Sequence, residues 1–460
     1  MSTVSKSAEE TGPRLRRALG LWDLVLYGVI VVQPTAPMPL FGVVMDKAHG
    51  HAVTTILFAM LAMLFTAISY GRMAAAYPSA GSAFTYVGRE IHPALGYVTG
   101  WSMAMDYIIN PLICTVWCSQ AMLQDPLLSR LLPAMPFPAW AAFFALLFTA
   151  LNLRGIKSTA RTNQFLAAGM GVVIVIFLLA AIRYIFGLPS QASISWTRPF
   201  YDPATFQARA VLTGTSLAAL TYMGFDSIST LSEEVRDPRR NILRATVLTC
   251  VATGLLASIE VFAAQVVWPS GVGFGDKPET AYAQVGSMIA GHWLATLVNV
   301  TLLVATIGSG MGTQLGAARL LYGMGRGNAL PKRFFAAIDA KRRIPRNNIL
   351  LIGLICFGGA MLINYDLGAQ MLNFGAFIGF MGVNAAAFRH YWLRGGAERR
   401  WADAVLPAIG FTFCLIIFLS LQPPAKIWGG AWVLVGIVYG AIRTRGFRGK
   451  LVSFDVPPEG

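Results

Sequence analysis

Three carboxylates stand inside stretches apolar enough to lie in a membrane: Asp106 beside Tyr107, Asp226 in YMGFDS, and Glu260 in LLASIEVFAA. A charge at such depth costs at least about 2.5–3.5 kcal/mol, so each needs a partner, a polar cavity or a proton. Aromatic residues fall at similar levels, namely Trp101, Tyr107, Tyr222, Phe225 and Phe374. Their faces attract ammonium groups by about 0.5–2 kcal/mol. Carboxylates with aromatic neighbours in an apolar setting can hold an organic cation or pass a proton. Asp226 serves either a ligand or the packing of its own segment, and Glu260 either a ligand, an interhelical hydrogen bond or a proton. Gln33 and Asn110 are further ligand candidates, although Asn110 precedes Pro111 and fits a kinked backbone equally well.

These residues cluster around two interruptions. Val29–Phe41 reads VIVVQPTAPMPLF, so Pro34, Pro37 and Pro39 must break an apolar helix in its middle. A second apolar segment, LAALTYMGFDSISTL, carries Gly224, which lets the backbone leave helical geometry. Backbone groups freed at such depth must face a ligand, water or protein. In QPTAPMP, three of seven residues lack an N–H, so donors for an anion are scarce. Carbonyls and the negative end of the first half-helix remain, and both favour a cation. Two broken spans, each opening one half of the chain, point to a carrier of two repeats with its site at the breaks.

The elements that must position this site are helices. Of 460 residues, 55% are hydrophobic and 12% charged, against about 25% charged in ordinary soluble domains. Twelve apolar stretches follow one another, and those near Phe137, Ile349 and Trp428 are short for a span of about 20 residues. The eighth is read as one segment, Ala281–Gly310. The expected fold is an all-α membrane protein with 12 transmembrane helices in a 5+5 inverted repeat, segments 1 and 6 being broken. An odd number of helices per repeat gives the halves opposite orientation.

The net charge of +15 follows membrane topology. With the N-terminus inside, 29 of the 36 Lys and Arg fall on the cytoplasmic side, including Arg72, Arg89, Arg154, Arg239 and the run from Arg319 to Arg346. This positive-inside pattern puts both termini in the cytoplasm and argues against nucleic acid as partner. The first twenty residues form a polar tail without the pattern of a cleavable signal peptide. One transporter domain spans about 21–445, with repeats near 21–187 and 208–390, helices 11 and 12 near 403–443, and a tail over 446–460. Cys114, Cys118, Cys250, Cys356 and Cys414 all lie in or beside apolar segments and read as free thiols. The five histidines, His49, His51, His92, His292 and His390, show no ligand spacing, and no metal, cofactor or nucleophile motif supports an enzyme.

Five pieces carry a resemblance: Ala67–Tyr107, NLRGIKSTARTNQ, Tyr222–Thr246, ARLLYGMGRGNALPKRF and LNFGAFIGFMGVN. Together they resemble the amino acid–polyamine–organocation permeases, and within them the bacterial putrescine importers. The resemblance implies import of a small organic cation such as putrescine across the bacterial inner membrane by alternating access, or, as the alternative, amino acid uptake or exchange. It also implies an Asp106–Tyr107 pair at the substrate; with the residues placed at the two breaks, the expected site is Gln33, Pro34, Asp106, Tyr107, Asn110, Tyr222, Gly224, Phe225 and Asp226. The chain departs from amino acid carriers of this superfamily, whose first break is Gly-rich and holds a carboxylate. Many proton- or exchange-driven members place a lysine in segment 5, where this chain has NQFLAAGMGVVIVIFLLA, with Met170 at about that depth.

The resemblance to putrescine importers implies proton coupling through Asp106, Asp226 or Glu260. Thr306, Ser309 and Thr313 offer a less favoured sodium site with carbonyls of segment 1, though such hydroxyls also serve as packing groups. Glu233 and Glu234, just before Arg236, Arg239 and Arg240, belong either to an inner gate of ion pairs or to a solvated helix end.

Overall fold

The computed structural model describes residues 19–77, 82–125, 135–154, 160–188, 195–231, 235–268, 273–275, 278–326, 330–339, 342, 344–396 and 399–447. Among these residues every regular element is helical. The expected gate residues Glu233 and Glu234 lie outside the described residues, as do the first eighteen residues and Pro78 to Gly81.

The prolines break the first span as the sequence requires. Helix α1 covers Leu21–Val32, and α2 resumes at Phe41–Lys47. Between them Gln33 adopts φ +68°, and short turns bind the amides of Ala36, Met38 and Leu40 to the carbonyls of Gln33, Thr35 and Pro37. The amides that proline leaves are therefore largely consumed within the turns. Helices α3 (Ala52–Ala76), α4 (Ser82–Glu90), α5 (Pro93–Gln124), α6 (Phe137–Leu153) and α7 (Ala160–Phe186) complete the first half.

The second half opens on the other break. Helix α8 (Ala208–Ala218) tightens to a 3-10 turn over Ala219–Tyr222, Met223 is extended, Gly224 takes φ +109°, and the single turn α9 (Ser227–Thr230) follows. A Cβ on Gly224 would stand 2.9 Å from Val31 Cγ1, so the two breaks touch and only glycine fits both the angle and the space. Then come α10 (Pro238–Val267), α11 (Ala281–Ala290), α12 (His292–Arg326), α13 (Lys332–Phe335), α14 (Arg346–Ala360), α15 (Tyr365–Phe388), α16 (Trp401–Leu419) and α17 (Pro423–Arg443).

One segment departs from its expected form. Ala281–Gly310 is not continuous: Gly291, at φ +85°, ends α11, and α12 begins afresh and runs on to Arg326. The turn was hidden because the stretches before Gly291 and after His292 are both apolar and suit one helix as well as two. Among the described residues seven helices are long and apolar enough to cross a membrane, while α1, α6 and α14 are apolar but shorter. Helix α5 has 32 residues, with Asp106 near its middle.

At the end of α4 a polar cluster ties three helices together. Glu90, 1% exposed, accepts from the Tyr77 hydroxyl, from His390 Nδ1 at 2.7 Å and from Arg394 at 3.2 Å. Burial pulls its pKa up, but the hydrogen bonds from Tyr77 and His390 and the charges of His390 and Arg394 outweigh it and hold the carboxyl below its ordinary value. A depressed carboxylate pKa adds stability above the unfolded value that is lost as pH falls through the folded one. Glu90→Gln should therefore lower the thermal unfolding temperature at neutral pH, and its gap from the parent should close as the pH is taken below 4.5. A gap that stays constant over that range would show that the ionised carboxylate is not what stabilises.

Candidate functional site

The two breaks enclose a cavity of about 110 Å³ with α5, α12 and the start of α15. Break 1 contributes Val31, Val32, Gln33, Thr35, Ala36 and Pro39; break 2 contributes Leu220 and Met223. Helix α5 adds Asn110, Ile113, Cys114 and Trp117, and α12 adds Leu302, Ala305, Thr306 and Ser309. Tyr365, the first residue of α15, closes the ring.

Local geometry explains how each polar group is held. Gln33 Nε2 donates to Ala305 O at 3.2 Å, fastening the first break to α12. Asn110 Oδ1 accepts from Thr313 Oγ1 at 3.3 Å and from Cys114 Sγ at 3.4 Å, so this amide bridges α5 and α12. Thr35 Oγ1 donates to Met170 Sδ at 3.6 Å. Where the resemblance led one to look for a lysine, the first break thus meets a neutral thioether. Trp117 Nε1 donates to Glu279 O at 3.1 Å and roofs the cavity. Beyond it Phe41, Phe274 and Tyr282 pack edge to face, with Phe177 and Tyr282 ring centroids 4.3 Å apart.

Asp106, Asn110, Cys114 and Trp117 recur every three or four residues and form one stripe on α5. The stripe runs from the cavity toward the N-terminal end of α5. One turn from Asn110, Asp106 lies within electrostatic reach of Asp226 from the second break. Tyr107 feels both carboxylates and Tyr27, and touches Gly316 on α12. Tyr107 is 43% exposed although it stands at the middle of a 32-residue helix. The carboxylate of Asp226 also lies over the amides of Gly224 and Ser227, which links it to the shape of the break.

The structure therefore gathers Gln33, Asn110, Thr306 and Ser309 at the cavity, and Asp106, Tyr107 and Asp226 just beside it. Pro34 is buried within the first break, and Gly224 shapes the second. Other expected residues are directed elsewhere. Tyr222 is fully buried and donates to Ile56 O at 2.9 Å, and Phe225 packs against Tyr70 and Phe380. Trp101 stacks on Trp432 of α17, each indole donating to the other's carbonyl at 2.9 Å. Phe374 packs on Phe418 of α16. Glu260 is 0% exposed on α10, and neither carboxylate oxygen has a hydrogen-bond partner. Sequence reasoning missed Thr35, Cys114, Trp117 and Tyr365. For the α5 pair the helical spacing from Asp106 was the available signal; nothing local marked Tyr365.

Comparison with known proteins fits this architecture. The amino acid permease family model matches residues 41–423. The chain is 31% identical to the low-affinity putrescine importer PlaP of Escherichia coli K12, covering 96% of each chain. It is 28% identical to the branched-chain amino acid permease BcaP of Lactococcus lactis, over 90% of this chain and 92% of that one. It is 25% identical to a methylthioribose transporter of Bacillus subtilis, over 94% of this chain and 95% of that one. These relatives are carriers and not enzymes. A bundle with seven helices fit to cross a membrane and two touching helix breaks, matched over most of its length by one model, identifies the chain as a multi-pass transporter of the amino acid permease family, within the amino acid–polyamine–organocation superfamily.

Proposed function

We propose that this transporter imports a small organic cation, such as putrescine, across the bacterial inner membrane by alternating access. Twelve crossings in a 5+5 inverted repeat, with both termini cytoplasmic, provide the frame. The observation that carries the reading is the pairing of Asp106 and Asp226 beside a cavity whose first break has spent its amides on its own turns. Carbonyls of the break are then left for the ligand, with the two carboxylates just beside the cavity, an arrangement that suits a diamine. The likeness to a putrescine importer over 96% of the chain supports the same substrate class.

Proton coupling is the proposed drive. Asp106 and Asp226 crowd each other, and Glu260 lacks a hydrogen-bond partner at a depth where an unpaired charge costs at least about 2.5 kcal/mol. Glu233 and Glu234 are proposed to pair with the basic inner loops as the inner gate moves.

A second reading is uptake of a neutral or cationic amino acid. It is favoured by the cavity lining itself, which carries no charged side chain among the described residues, and by the likeness to a branched-chain amino acid permease. A thermal-shift panel on purified protein separates the two. Putrescine and cadaverine should stabilise the protein in a concentration-dependent way. Stabilisation by leucine or arginine but not by either diamine would favour the second reading.

A further inference from the structure

The central cavity has a definite length along α5. Its lining on that helix runs from Asn110 to Trp117, seven residues or about 10 Å of rise. On α12 it runs from Ser309 back to Leu302. The two helices are antiparallel here: Asn110 bonds Thr313, Cys114 faces Gly310, and Asp125 bonds Asn299. Asn110 and Ser309 therefore mark one end of the cavity, and Trp117 and Leu302 the other. The first end is polar and points toward Asp106, one turn further along α5. The second is closed by the larger, apolar pair.

Trp117 is held rigidly at that end. It is 1% exposed, and its Nε1 donates to Glu279 O in the 3-10 turn Pro278–Thr280. The same turn is bonded to α5 again two turns on, where the Thr280 hydroxyl donates to Gln124 Oε1. On its other side the Pro278 carbonyl lies so close to Gly42 of α2 that a Cβ there would find no room. The turn is thus wedged between α2 and α5. Beyond it the edge-to-face packing of Phe41 with Phe274 and Tyr282 leaves the indole no slack. A ligand too long for the cavity cannot push this side chain aside without disturbing three elements.

We propose that Trp117 sets the length of substrate that this carrier accepts. With its ammonium end toward Asp106, the ligand's chain ends at the indole, and longer chains are refused. The inference rests on the organic-cation reading of the site and adds the dimension along which that site selects.

A ladder of α,ω-diamines tests it, from putrescine and cadaverine through 1,6-diaminohexane to 1,8-diaminooctane, each titrated calorimetrically into the purified full-length protein. In the parent, 1,8-diaminooctane should bind at least roughly tenfold more weakly than putrescine, because the extra methylenes meet a wall that does not yield. In Trp117→Leu each added methylene should instead tighten binding roughly fourfold until the vacated space is filled. Trp117→Phe keeps a ring in the layer and should shift the ladder the same way by less; it serves as the test should the leucine variant not fold. Lost packing alone would weaken every diamine alike, so the slope along the ladder is the readout. A parent that binds 1,8-diaminooctane as tightly as putrescine, or a folded variant whose ladder keeps the parent's slope, would overturn the proposal and leave the organic-cation reading in place. A parent that binds no diamine would overturn both.

Discussion

Asp106→Asn is expected to abolish putrescine uptake while the protein still inserts and folds. Asp106 continues the α5 stripe that lines the cavity, within reach of Asp226 and beside the exposed ring of Tyr107. Removing one partner of a charge pair costs about 2–5 kcal/mol, a fall in affinity of roughly 30-fold to several thousand-fold. Asparagine keeps the volume, so packing on α5 should survive. Ligand binding to the purified variant, with monodispersity as the control, is the measurement. Unchanged affinity in folded protein would move the cation to Asp226 or Glu260.

The second large effect concerns the driving force. Met170, and not a lysine, meets the first break, and in the proposed proton-coupled cycle the carboxylates carry the proton. Uptake should respond to an inward proton gradient, survive replacement of sodium by choline, and lose its pH response in Asp226→Asn or Glu260→Gln. Glu260 is the cleaner probe, because its oxygens hold nothing else in place. If Thr306 and Ser309 bind sodium instead, choline should stop uptake and Ser309→Ala should raise the sodium requirement. An inside-negative potential alone gives a cation about 2.3 kcal/mol per charge per 100 mV. Holding the membrane potential at zero separates the cases. Uptake that persists with a proton gradient supports symport, uptake that persists only with sodium supports the α12 site, and loss under both supports a uniporter.

The breaks were legible because proline and glycine act on the backbone directly. Pro34 to Pro39 and Gly224 mark them without reference to the rest of the fold. The buried carboxylates were legible too, since a charge in an apolar run stands out. Aromatic roles were not: Trp101 and Phe374 lie at suitable depth, yet depth does not say which side of a helix faces the site. In the fold they turn to α17 and α16. Tyr365 reaches the cavity only because α15 begins there, a placement set by long-range packing. The turn at Gly291 was masked by apolar residues on both sides, which suit one helix or two.

Uptake of labelled putrescine into proteoliposomes, with unlabelled competitors in excess, tests the central claim most directly. Saturable accumulation that cadaverine suppresses, and that leucine and arginine leave in place, is the expected result. Suppression by leucine or arginine that exceeds suppression by cadaverine, or flux that stays linear without saturation, would contradict a carrier for organic cations.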